Sequence, residues 1–133
     1  MVAIGLVVAR FNRPVTERME EAALSAANEH DAEVIETVHV PGAYDAPLAA
    51  DRLARRDDVD AVVAVGAIVA GDTDHDQVIA SAAAQGLTDV SLDRDTPVTL
   101  GITGPGMSAA EADERVENAA RAVDGAVNMV SAL

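Results

Sequence analysis

Five residues between two dissimilar segments carry the clearest chemistry in this chain: Gly71-Asp72-Thr73-Asp74-His75. Before them runs Ala61 to Val65, a continuous apolar stretch of the kind that forms a strand buried on both faces in a parallel sheet. After them comes an Ala-rich segment with Val78, Ile79, Ala82 and Ala83 on one helical face. The loop thus lies between the carboxyl end of a buried strand and the start of a helix. Open α/β sheets bind ligands at that place. The free backbone N–H groups of a helix start favour an anion there. An imidazole, with an unperturbed pKa of about 6.5, suits proton transfer. The bland alternative is an idle first-turn histidine beside an ordinary cap. The alternation Asp72-x-Asp74-x-Asp76 also hints at calcium, but Gln77 and Ala83 stand where a calcium loop needs Gly and Glu, so no metal site is expected.

The elements that must position this loop can be read in order. Val2 to Ala9 is a second buried strand. It ends at Arg10-Phe11-Asn12, where Asn12 can cap the next helix and Pro14 fits its first turn. Val15, Met19, Ala22, Ala23, Ala26 and Ala27 make that helix's apolar stripe. Glu33 to Val40 is a third strand, and its glutamates predict an edge or less buried position. Val40-Pro41-Gly42-Ala43-Tyr44-Asp45 follows as a loop, then a helix from Ala46 to Arg56 with Leu48, Ala49 and Leu53 inward.

The helix after His75 is expected to run brokenly past Gly86 toward Leu92. Pro97 to Ile102 is the fourth strand. Ser108 with Glu111 fits a capping box for a last helix from Ala109 that carries Val116, Ala119, Ala120 and Val123, with a bend or break at Gly125. The order is β-α-β-α-β-α-β-α. It predicts a three-layer α/β/α sandwich with a four-stranded parallel sheet, flavodoxin-like, in one domain over residues 1–133.

Composition narrows the function. The core is built from 28 Ala and 19 Val, with one Phe, one Tyr and no Trp. Any stacking therefore falls on Phe11 or Tyr44. The formal net charge is −14, and all nine bases are Arg. Nucleic acid is not an expected partner, because phosphate backbones need clustered positive charge. So many carboxylates repel one another unless salt screens them, which suggests a salt-rich cytoplasm. With no Cys there are no disulfides or thiolate sites. No stretch is long enough to cross a bilayer, and Met1 leads directly into a strand, so a soluble cytoplasmic protein is expected.

Three stretches now carry a resemblance: Arg10-Phe11-Asn12 after the first strand, Val40-Pro41-Gly42-Ala43-Tyr44-Asp45-Ala46-Pro47 after the second, and Gly66 to His75 after the third. In this order, at matching strand ends, they resemble the 6,7-dimethyl-8-ribityllumazine synthase family of riboflavin biosynthesis, along essentially the whole chain. The resemblance implies condensation of 5-amino-6-(D-ribitylamino)uracil with 3,4-dihydroxy-2-butanone 4-phosphate. Phosphate and water leave, with no metal or organic cofactor. Imine formation, elimination and ring closure need positioning and proton shuttling more than a strong nucleophile.

It also implies roles. His75 transfers protons; His30 and His39 have no such company. Gly71, Asp72 and Thr73 hold the phosphate, with the Asp72 side chain turned away. Phe11 stacks on the pyrimidine, against the alternative of a core Phe. Ala43, Tyr44 and Asp45 bind the ribityl chain and uracil, although Tyr44 can simply pack and Asp45 can cap. Ala67, Ile68 and Val69 form a wall through their backbone, or merely pack the strand end. Arg115 reaches the phosphate of a neighbouring subunit's site, or pairs on the surface with Glu111.

Two departures from the family stand out. Leu100 occupies a position where the family has an aromatic from the adjacent subunit, and no Lys follows Arg115. The family forms pentamers, some closing into sixty-subunit shells, and riboflavin synthase is a partner it suggests. Rival readings are an archaeal-type riboflavin synthase that dismutates lumazine, and a non-catalytic flavin-binding or shell-forming relative.

Overall fold

Two strands without a polar side chain sit at the centre of the structure, a computed structural model that describes residues 1–133. They are β1 (Val2–Ala9) and β3 (Ala61–Ala67), and every residue of β3 is buried. β2 (Ala32–Val40) flanks β1, and β4 (Val98–Thr103) flanks β3, giving the all-parallel order β2-β1-β3-β4. Central strands of such a sheet are covered on both faces, which is why they read as unbroken apolar runs. Glu33 and Glu36 of β2 are exposed, as an edge strand allows. Between Ile4 and Gly5 the register shifts, leaving Ile35 without a partner on β1. This bulge interrupts β2's alternation.

Residues alternate between two apolar layers. Ile4, Leu6, Val8, Ala61, Val63 and Val65 pack against α1 (Arg13–Glu29), α4 (Ala109–Glu114) and α5 (Asn118–Ala132). Val7, Val62 and Ala64 pack against α2 (Ala46–Ala54) and α3 (His75–Arg94). The α/β/α sandwich is thus formed.

Several local expectations are corrected. Asn12 does not cap α1 with its side chain: its backbone is left-handed, at φ 67°. Its carbonyl instead accepts from the N–H groups of Val15 and Thr16, and Pro14 offers no N–H to cap. α3 runs unbroken through Gly86. A Cβ there would lie 2.7 Å from Cγ of Pro47, so this glycine serves the approach of α2 to α3 rather than a break. α2 ends at Ala54, two residues early. The last helix breaks not at Gly125 but at Arg115–Glu117, where the N–H groups of Arg115, Asn118 and Ala119 each bond three residues back and tighten the turn. Leu48 and Val78, expected inward, are both 62% exposed.

The Ser108 capping box forms as read. Ser108 Oγ accepts from Glu111 N–H, and Glu111 Oε1 accepts from Ser108 N–H at 3.1 Å, which holds the Glu111 carboxyl below the usual range.

Candidate active site

The carboxyl ends of β1, β2 and β3 meet around a cleft of about 450 Å³. Each strand contributes the loop that follows it. After β1, Phe11 donates its N–H to the carbonyl of Pro41 at 3.0 Å, continuing the ladder begun by Arg10 N–H and Val40 O at 2.8 Å. After β2, Gly42 begins a single 3₁₀ turn, Ala43–Asp45, that leads into α2. Asp45 Oδ2 accepts from Gly42 N–H at 3.1 Å, so its side chain turns back onto this turn while lining the cleft and does not cap the helix α2 as weighed from the sequence. After β3, Ala67, Ile68, Val69 and Gly71 form one wall, and His75 opens α3.

The cleft holds both aromatic residues of the chain. Phe11 is 63% exposed and Tyr44 66% exposed, which excludes the core-packing alternative for each. A flat heterocycle can lie against such faces. His75 is exposed, and its backbone N–H is received by Thr73 Oγ1 at 3.3 Å. The remaining histidines are engaged elsewhere: His30 Nε2 lies 2.5 Å from Asp124, and His39 Nε2 lies 2.8 Å from Glu20.

Of the sequence-derived site residues, Phe11, Ala43, Tyr44, Asp45, Ala67, Ile68, Val69, Gly71 and His75 are brought together. Asp72 and Thr73 sit exposed in the loop at its rim. The wall's backbone is partly committed, since Ile68 N–H bonds Thr103 O and Ala70 N–H bonds Met107 O, each at 2.8 Å. Leu100 and Arg115 do not line this cleft. Leu100 is 54% exposed on β4. Arg115 lies 3.8 Å from Glu111 and 3.5 Å from the Met107 sulfur, so the surface pair also weighed for it does form.

Pro41, Gly42, Asp76 and Ile79 also line the cleft and were not assigned a role from the sequence. Asp76 carried a signal. It shares the helical spacing of Ala83, Leu87 and Val90, the buried face of α3, and is itself 8% exposed. Asp72 and Asp74 are exposed instead, so the three aspartates do not converge.

Parallel sheet, double helical cover and a cleft at the strand carboxyl ends define an open-sheet α/β protein with its site where that architecture places ligands. The family model for 6,7-dimethyl-8-ribityllumazine synthase matches residues 1–133. The chain is 70% identical over 133 residues to 6,7-dimethyl-8-ribityllumazine synthase of Halobacterium salinarum, covering all of both chains. It is 66% identical to the Halorubrum lacusprofundi protein of that name, covering 100% of this chain and 99% of the relative. For the Methanopyrus kandleri protein of that name the identity is 52%, covering 99% and 94%. The chain belongs to the 6,7-dimethyl-8-ribityllumazine synthase family.

Proposed function

We propose that this protein is a transferase of riboflavin biosynthesis. It condenses 5-amino-6-(D-ribitylamino)uracil with 3,4-dihydroxy-2-butanone 4-phosphate to give 6,7-dimethyl-8-ribityllumazine, with loss of phosphate and water. The observation that carries the reading for this site is the gathering of Phe11, Tyr44 and His75 from three strand ends into one cleft.

Phe11 stacks on the pyrimidine ring. Ala43, Tyr44 and Asp45 hold the uracil and ribityl groups, and the Ala67–Val69 wall closes the opposite side. The butanone phosphate sits against Gly71, Asp72 and Thr73, whose amides precede the positive end of α3. The amine of the uracil then attacks the ketone within reach of His75. The imidazole moves protons through imine formation and phosphate departure. Holding both reactants supplies most of the acceleration, because the amine is already a competent nucleophile.

Leu100 and Arg115 serve the site of a neighbouring subunit in a pentamer. Their absence from the lining of their own chain's cleft supports this, as do the exposed Leu48 and Val78. The whole of residues 1–133 acts as the single domain of that assembly. The charge of −14 supports work in a salt-rich cytoplasm. No helix is long and apolar enough to cross a membrane.

The test is a direct assay. Purified protein in molar salt receives both substrates, and the fluorescence of the lumazine product is followed above the uncatalysed background. Product forms rapidly, and His75→Ala slows it by about two orders of magnitude, the low end for general acid–base catalysis, since positioning is the larger contribution here. No product above background from folded oligomer sinks the reading.

A further inference from the structure

The loop from Gly71 to His75 is pinned at both of its ends to one dipeptide in another part of the chain. At its start, Ala70 N–H donates to the carbonyl of Met107 at 2.8 Å. At its end, Asp76 Oδ2 accepts from the N–H of Gly106 at 2.9 Å, across thirty residues of sequence. Met107 is 1% exposed and Asp76 8% exposed, so the accepting residue of each pin is buried, while the donors Ala70 and Gly106 lie at the surface. The segment they grip lies close against the residue that follows β3: a Cβ on Gly104, which has φ +102°, would lie 2.3 Å from the carbonyl oxygen of Ile68. Ser108, the next residue, caps α4.

A buried carboxylate is costly unless it accepts hydrogen bonds. Next to a site for an anionic substrate it is costlier still. A hydrophobic residue at position 76 would fill the face shared with Ala83 and Leu87 at no such expense. What Asp76 gains is a charge-assisted bond to an amide that no neighbouring secondary structure uses. That bond ties the first turn of α3, which His75 opens, to Gly106.

We propose that Asp76 is a positioning residue for the phosphate-bearing substrate: its carboxylate latches the Gly71–His75 loop to Gly106. The inference rests on the proposed condensation for its substrate, but not for the latch itself. The Phe11–Tyr44 side of the cleft hangs on other bonds, from Phe11 to Pro41 and from Gly42 to Asp45. Loss of the latch therefore acts on one substrate and spares the other.

The test compares wild-type protein with Asp76→Ala and Asp76→Asn in molar salt. Asp76→Ala raises the KM for the butanone phosphate about tenfold, as for one lost charge-assisted bond, and moves the KM for the ribitylaminouracil less than about twofold. Asp76→Asn, whose amide oxygen still accepts from Gly106 through a neutral bond about half as strong, raises the KM for the butanone phosphate only about threefold and leaves that for the ribitylaminouracil within about twofold. Amide hydrogen exchange over residues 70–76 and 103–107 speeds up in Asp76→Ala only. Equal rises in both KM values, an unchanged KM for the butanone phosphate, or wild-type exchange in Asp76→Ala would each overturn the inference. If Asp76→Ala does not fold, Asp76→Glu, whose longer arm overshoots the amide, reads the same split. If wild-type protein makes no lumazine, the functional reading fails separately. Calorimetric binding of inorganic phosphate, weakened in Asp76→Ala, and the exchange rates then decide the latch, and unchanged binding or none overturns it.

Discussion

The N–H of Phe11 donates to the carbonyl of Pro41 at 3.0 Å, two residues beyond the end of one strand and one beyond the other. The β1–β2 ladder thus continues into the cleft and holds an exposed aromatic at its rim. Phe11→Ala leaves that backbone bond in place and removes only the ring. A stacked aromatic contributes about 0.5–1.5 kcal/mol beyond area burial, so the KM for the ribitylaminouracil rises at least about two- to tenfold while the KM for the butanone phosphate stays put. Steady-state kinetics with each substrate varied in turn checks this, and equal rises in both would refute it.

Leu100 is 54% exposed on edge strand β4 and does not line the candidate cleft of its own chain. If it faces a neighbour's bound ring in the proposed pentamer, Leu100→Phe adds a second stacking face. The expected result is a lower KM for the ribitylaminouracil, by about two- to tenfold, with the oligomer unchanged in size-exclusion chromatography. An unaltered KM would place Leu100 away from any site.

Gly86 and Pro47 meet where α2 crosses α3. Alanine is the better helix former by about 1 kcal/mol, so propensity alone favours Gly86→Ala. The added Cβ would lie 2.7 Å from a rigid proline ring, and such overpacking costs about 1–3 kcal/mol. The steric cost wins, and the thermal midpoint of Gly86→Ala falls. A midpoint above wild type would show that the two helices can part without cost.

Asp51 links two helices: its carboxylate accepts from Arg94 at 2.8 Å and from Arg55 at 3.0 Å. The Arg94 bond first, and Arg55 after it, hold the Asp51 carboxyl below its usual range. A lowered folded-state value means stability that is complete above the ordinary carboxylate pKa and is lost as pH falls through the folded value. Asp51→Asn therefore melts below wild type near neutrality, and the two midpoints converge under acid, below about pH 4. Thermal melts at low salt show the gap; molar salt narrows it, because both arginines are partly exposed.

A net charge of −14 on 133 residues gives a fifth expectation. The thermal midpoint rises from low to molar salt as the carboxylates are screened. A flat response would remove the argument for a salt-rich setting.

Much of this molecule was legible in one dimension. Period and apolar continuity gave the four strands and the alternating helices, because a strand buried on both faces has no choice but to be apolar throughout. The three loops of the site were legible as loops at strand carboxyl ends, but Phe11, Tyr44 and His75 stood out within them through the family resemblance, because a core Phe, a packed Tyr and an idle His were each open to the residues alone. Burial of individual helix residues was less legible. Leu48 and Val78 have the spacing of core positions yet face outward, because helical period fixes which residues share a face but not whether another element covers it.

The rest was decided by contacts between distant parts of the chain. Gly86 reads as a break until Pro47 is seen against it, and Asp76, which has the spacing of the buried face of α3, shows what its carboxylate does only once Gly106 supplies its bond. Local sequence determined each element and the loop that follows it, since propensity and capping act over a few residues. Only the tertiary structure decided which loops share a cleft and which carboxylate is buried. Those outcomes depend on strand order and close approach, and no short-range signal encodes either.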